Sequence, residues 1–215
     1  MAKKNKKIES GTIIRIKLNF DLGYTFAKVV NMCDFSEIDL STTLHYIIYP
    51  YNYIEKKENI FNYIKFIESK PLTGPLFVID ILYAIKNSKY QIVGTSLLRN
   101  YEQNIPDFRG FSSDVFAIHK YEKDATSWNY FEKGRPFKRI SANYDQVKHL
   151  EGNAALSHNH IEKRLSMEVL NRKKLKIEDF YDMQDWINLK LYYNMHYTVP
   201  FNEVPNHIKG KAILW

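Results

Sequence analysis

The sequence predicts an α+β protein: a curled antiparallel, barrel-like sheet in the first half, then further strands and two helices in the second half. Three observations predict it. Gly11 to Val30 reads as a strand, a turn and a returning strand; helical spacing of apolar residues dominates only the last third; and no β-α-β alternation joins the two regions. With 215 residues and 45% hydrophobic content, the chain is long and apolar enough to fill a core.

In the opening stretch Ile14, Ile16, Leu18 and Phe20 share one face while Arg15, Lys17 and Asn19 share the other, as in a strand with one side in water. Asn19 to Gly23 turn the chain, because Asp21 and Gly23 tolerate positive φ. Asp34 to Ser41 reads as an acidic connector, and Leu44 to Tyr49 as a third strand ending near Pro50. Asn59 is the expected N-cap of a short helix with an Ile60, Phe61, Ile64 and Ile67 stripe, closed by Pro71. Leu76 to Ile85 reads as a long strand that turns at Lys86 to Lys89 into Tyr90 to Gly94, making a second hairpin.

Asn100 to Ser113, with Pro106, Gly110 and two serines, marks an internal boundary. Beyond it Val115 to Tyr121, Trp128 to Phe131 and Phe137 to Ile140 are expected strands. Ile161, Leu165 and Val169 define one helix opened by Ser157 or Asn159; Phe180, Met183, Trp186, Ile187 and Leu191 line a second. The expected organisation is a disordered basic tail over 1–7, a β-rich region over 8–111, and an α+β region over 112–215 that either stands alone or packs with the first.

Four of the seven net positive charges are Lys3, Lys4, Lys6 and Lys7, which leaves a net charge of three on everything after them. The charge is therefore a tail signal more than a nucleic-acid signal. The single cysteine, Cys33, excludes an intramolecular disulfide and is expected as a buried free thiol in a reducing compartment. No apolar run reaches the length of a membrane span, so a soluble, cytoplasmic protein is expected.

Gly11-Thr-Ile-Ile-Arg-Ile, a short loop, and Gly23-Tyr-Thr-Phe-Ala-Lys-Val-Val30 resemble the opening of the immunity protein 26 family of bacterial polymorphic-toxin systems. Leu76 to Ile81, Tyr90-Gln-Ile-Val-Gly94 and Ile105-Pro106-Asp-Phe108 resemble its later strand, its aromatic-x-x-Ile-Gly element and its Pro-x-Phe ending. Thr12, Lys28 and Tyr90 stand where that family usually has an acid, an Arg and a Trp. The resemblance covers about residues 8–111 and implies a non-catalytic protein that binds and neutralises a cognate toxin domain.

The chemistry-bearing clusters are few. His149, Glu151, His158, His160 and Glu162 have metal-ligand types, but His158 and His160 are two apart and do not share a helix face, so no metal or other cofactor is expected. There is no Gly-x-Ser-x-Gly elbow and no Gly-rich phosphate loop. Glu178, Asp179, Asp182 and Asp185 read as the solvated acidic face of a helix and a secondary contact region. The principal partner-binding candidates are Asp34, Glu37 and Asp39 with Tyr46, Tyr49, Tyr51 and Tyr53: rings as anchors with acids at the rim. The alternative is a nucleic-acid-associated protein, of the kind used in defence against foreign DNA, that would bind through the Lys3 to Lys7 tail and exposed rings. Oligomeric state is not specified by the sequence.

Overall fold

The Gly11–Val30 alternation folds into an antiparallel hairpin of β1 (Thr12–Lys17) and β2 (Tyr24–Asn31), with Ile14 opposite Ala27 and Ile16 opposite Thr25. The structure, a computed structural model, describes residues 7–35, 46–110, 128–134 and 138–213. Phe20, Asp21 and Gly23 all take positive φ in the connecting turn. Phe20 therefore leaves the core-facing row in which its spacing put it and is exposed.

The third strand, β3 (Tyr46–Glu55), continues through Pro50. Pro50 is tolerated because the N–H and C=O of one strand residue point the same way, and its carbonyl accepts from Leu72 N–H, on the side away from β2. The missing N–H thus faces a loop and costs no β2 ladder bond. The short helix is present as α1 (Tyr63–Glu68), capped by Asn62, whose side chain accepts from Lys65 N–H, rather than by Asn59.

The expected long strand breaks after three residues: β4 (Leu76–Val78) is followed by α2 (Ile81–Lys86). Ile81, Ala84 and Ile85 have helical spacing, and Ile81 and Ala84 are fully covered. The next strand, β5 (Tyr90–Thr95), pairs with β1 and not with β4. With no second hairpin the sheet does not close. The barrel-like expectation is therefore corrected to an open sheet.

Its sixth strand comes from the C-terminal region: β9 (Ala155–Leu156) pairs in parallel with β4, giving the order β5-β1-β2-β3-β4-β9. A separate antiparallel sheet is built from β6 (Phe108–Gly110), β7 (Trp128–Phe131) and β8 (Arg139–Ala142). The Val115 to Tyr121 strand, and most of the basic tail, lie outside the described residues. After the short α3 (Tyr144–Val147), α4 (His158–Arg172) buries Ile161, Leu165 and Val169 as the spacing predicts, and Ser157 is its N-cap residue.

The second predicted helix starts later, as α5 (Trp186–His196), because the Asp185 side chain accepts from Ile187 N–H and fixes the start there. Trp186, expected in the apolar stripe, is 66% exposed at that first turn. The α+β class holds.

The large sheet is covered on both faces. Ile14, Ile16, Ala27, Val29 and Ile48 pack with α4 and α5; Ile13, Phe26, Val30, Ile47 and Phe77 pack in a second, aromatic core with Phe66 of α1, Phe108 and Phe201. This decides the fate of the polar row. Arg15, expected in water, is buried, as is Lys28 of β2, whereas Lys17 stays exposed. Cys33 is exposed in a 3-10 turn (Met32–Asp34), which corrects the buried-thiol expectation.

Candidate functional site

The four tyrosines proposed as anchors are all buried. Tyr49, Tyr51 and Tyr53 alternate along β3 and so point into the second core, where Tyr51 packs 4.8 Å from Phe66 and Tyr53 5.0 Å from Phe26. Tyr46 lies on the opposite face, and its hydroxyl accepts from Ile8 N–H at 3.2 Å. Asp34 is near the surface, held by Lys7 Nζ at 2.5 Å and Ser10 Oγ at 2.7 Å. Desolvation pushes its carboxyl up, but those two hydrogen bonds outweigh it and hold the group below its usual range. Glu37 and Asp39 lie outside the described residues. The rings and Asp34 therefore do not make one solvent-facing patch in this structure.

Tyr51 instead joins a buried charged group. Its hydroxyl donates to Glu102 Oε1, while Glu102 Oε2 accepts from Lys28 Nζ at 3.0 Å and from Arg99 N–H at 2.7 Å. Arg99 lies over the Tyr51 ring at 4.7 Å and donates to the carbonyls of Ile67 and Ser69. Burial, with Glu102 beside it, raises the Tyr51 hydroxyl far above its usual range, and burial lowers the Lys28 ammonium against the pull of Glu102. The group ties the loop after β5 to the sheet.

The His and Glu cluster is also dispersed. His149 Nε2 bonds the Lys211 carbonyl at 2.6 Å; Glu151 accepts from Arg164 at 3.4 Å and from Gly74 N–H at 3.1 Å. His158 donates from Nδ1 to Asp80 at 2.6 Å, and His160 lines a notch beside Trp186. Among the described residues no group of three or more His, Cys, Asp and Glu is placed to hold a metal ion. The acids of the last third also separate: Asp185 caps α5, Asp182 accepts from Gln184 N–H, and Glu178 accepts from Tyr192.

What remains uncovered is one end of the large sheet. Among the described residues β5 is paired on one side only, and its residues Tyr90-Gln-Ile-Val-Gly-Thr95 carry no charge and no proline. Native edges of this length are usually protected by one or the other. The opposite end, β9, is two residues long and offers almost no ladder.

Beside β5, Leu82 and Ile85 of α2 and Ile92 of β5 line a hollow of about 550 Å³ with Lys7, Glu9 and Lys86 at its rim. Ile92 is 50% exposed, and Leu97, just past the strand, is 91% exposed. A second hollow of about 530 Å³ wraps the other side of the edge, lined by Arg15, Lys17, Lys89 and Gln91. Arg15 is already engaged there by Glu58 and Gln91.

Local sequence explains why α2 sits at this edge. Asp80 precedes α2 and accepts from both the backbone N–H and Nδ1 of His158, so it joins the start of α2 to the start of α4. Tyr90 completes the clamp by donating to the His158 carbonyl at 3.2 Å. No family model, no curated protein and no solved structure matches this chain.

Lys17, Lys86 and Lys89 make no ion pair among the described residues, so the edge is ringed by cations without fixed partners. Half-buried Glu162 is the acid that senses them: burial raises its carboxyl, and His158, Lys89 and Lys17 pull it back down. The arrangement offers backbone hydrogen bonds, an apolar groove and positive charge together. Sequence reasoning missed it, although the uncharged composition of Tyr90 to Thr95 was readable. Which strand ends a sheet is not a local property of the chain.

Proposed function

We propose that this chain is a non-catalytic immunity-type protein that binds a cognate toxin domain in the cytoplasm, and that it does so through the β5 edge and its flanking grooves. The observation that carries the contact region is the uncharged strand, paired on one side only among the described residues, beside half-exposed Ile92 and Leu82 and flanked by Lys17, Lys86 and Lys89, which make no ion pair among the described residues. The toxin-neutralising role itself rests on the resemblance described above. The rings expected at the contact give way to this surface, because burial removes Tyr46, Tyr49, Tyr51 and Tyr53 from the reach of a partner.

The same burial weakens the nucleic-acid alternative by taking its stacking rings away. Among the described residues no helix is long and apolar enough to cross a membrane. The direct experiment is to look for a toxin-type domain encoded by a neighbouring gene and to co-express it with this chain. The expected result is restored growth and a co-purifying complex; growth arrest with no complex refutes the reading. A mobility-shift titration with DNA and RNA at low salt is expected to show no retained species, whereas salt-dependent retention favours the alternative.

A further inference from the structure

We propose that the partner supplies an extended, acidic segment that adds to β5 as a seventh strand of the large sheet. This rests on the protein-binding reading above and names the chemistry of the partner. The first ground is the ladder. Among the described residues β5 has β1 on one side and no strand on the other, which leaves its outward N–H and C=O groups for pairing with a strand from another chain. Main-chain pairing of that kind gives affinity, and pockets beside it select the side chains that alternate along the incoming strand.

The register of β5 limits where the segment lies. A bulge at Val93 interrupts the β1 ladder between the Tyr90–Ile92 pairs and the Gly94–Thr95 pairs. A bulge twists an edge and disfavours long flat pairing, so it protects against indiscriminate aggregation while leaving a short ladder usable. Ile92 belongs to the usable part. Its side chain is on the α2 side of the sheet, where Leu82 and Ile85 form the rest of an apolar wall. An incoming strand therefore places an apolar residue there.

Charge decides between the occupants. A second copy pairing β5 against β5 brings Lys17, Lys86 and Lys89 of both chains to one seam, where like charges oppose association. An acidic segment satisfies the same lysines. Its charged residues steer the encounter, and its apolar residues fill the groove. The chain alone is accordingly expected to sediment as a monomer.

The test uses the full-length protein and two short capped peptides, one alternating Glu with Val and the other alternating Lys with Val. Hydrogen exchange followed residue by residue is expected to show slowed exchange at Tyr90–Thr95 amides with the Glu peptide only, an effect reduced by salt. No slowing with the Glu peptide, or equal slowing with the Lys peptide, overturns the proposal. Ile92→Lys places a charge on the edge and should abolish the effect; being half-exposed, Ile92 is replaceable without loss of fold. Lys86→Glu combined with Lys89→Glu changes only exposed positions and should weaken Glu-peptide binding on the order of tenfold. Unchanged binding by both variants overturns it.

The toxin domain separates this inference from the reading beneath it. If that domain co-purifies while β5 amides exchange as freely as before, the added strand is wrong and the immunity reading stands. If it does not co-purify while the Glu peptide still protects β5, the immunity reading falls and the added strand stands.

Discussion

Replacing Tyr51 separates a structural ring from a contact ring, because its surroundings set the two outcomes far apart. The side chain is fully buried, 4.8 Å from Phe66 and beneath Arg99, with its hydroxyl on Glu102. Tyr51→Ala removes a whole aromatic side chain from a packed core, at a cost of about 3–5 kcal/mol. Tyr51→Phe keeps the ring and removes one donor from a buried carboxylate, at about 1.5–3 kcal/mol. Glu102 retains Lys28 and the Arg99 N–H, which places the Phe variant toward the lower end.

For a chain of this size each kcal/mol moves the melting temperature by about 2–4 °C, so the Ala variant should melt roughly 6–20 °C lower. Urea denaturation with matched melting curves measures both. A Tyr51→Ala protein as stable as the parent refutes the core assignment and returns this ring to the list of partner anchors. A second cycle tests the ion pair: Glu102→Gln alone leaves Lys28 charged and buried, and should cost more than Lys28→Met with Glu102→Gln together.

Three further outcomes follow from other parts of the structure. Gly23→Ala should cost about 1–3 kcal/mol in urea denaturation, since Gly23 has φ +102° and an added Cβ would stand 2.4 Å from the Glu55 carbonyl oxygen. Arg109→Met should cost about 3–5 kcal/mol by the same assay, because the buried guanidinium holds the Tyr197 carbonyl at 2.6 Å and Asn194 Oδ1 and Thr198 Oγ1 at 2.9 Å, and burial pushes its pKa down only to about 10.

Burial also holds the His149 imidazole below 6.5, against the bond to Lys211. Between its folded value and 6.5 the unfolded chain binds more protons, so His149 makes stability rise with pH, and His149→Gln should flatten that slope in denaturation midpoints measured from acid to neutral pH. Glu151, raised by burial, contributes the opposite slope above 4.5, which the same variant leaves in place.

The opening hairpin and α4 were legible because each has one dominant period. Ile14, Ile16 and Leu18 repeat every two residues, and Ile161, Leu165 and Val169 every four. Leu76 to Ile85 was not, because an apolar run interrupted only by Asp80 satisfies both periods at once. The readable signal was Asp80, a residue type common at helix starts, set just before Ile81, Ala84 and Ile85 at helical spacing, although its carboxylate engages His158 and not the helix N–H groups. The tyrosines misled for a different reason. Their alternation in Tyr49, Tyr51 and Tyr53 correctly marks one face of a strand, but a sheet with one wet face was assumed. Lys28, in the matching row of β2, is likewise held in a core, where Glu102 neutralises it. A buried pair of opposite charges separated by seventy-four positions leaves no local trace.

Burial on both faces also constrains where a partner reaches the large sheet. With α4 and α5 on one side and the aromatic core on the other, only the two ends of the strand order present backbone to another chain among the described residues. β9 has too few residues to hold a ladder, so it needs no charge for protection. β5 has six residues and lacks charge and proline, and the one protective device within the strand itself is the bulge at Val93. An edge of this kind left open in a crowded solution invites aggregation unless something repels like copies. Lys17, Lys86 and Lys89 provide that repulsion, and the same three charges attract an acidic strand. The features that keep the chain from pairing with itself are thus the ones that select what it pairs with.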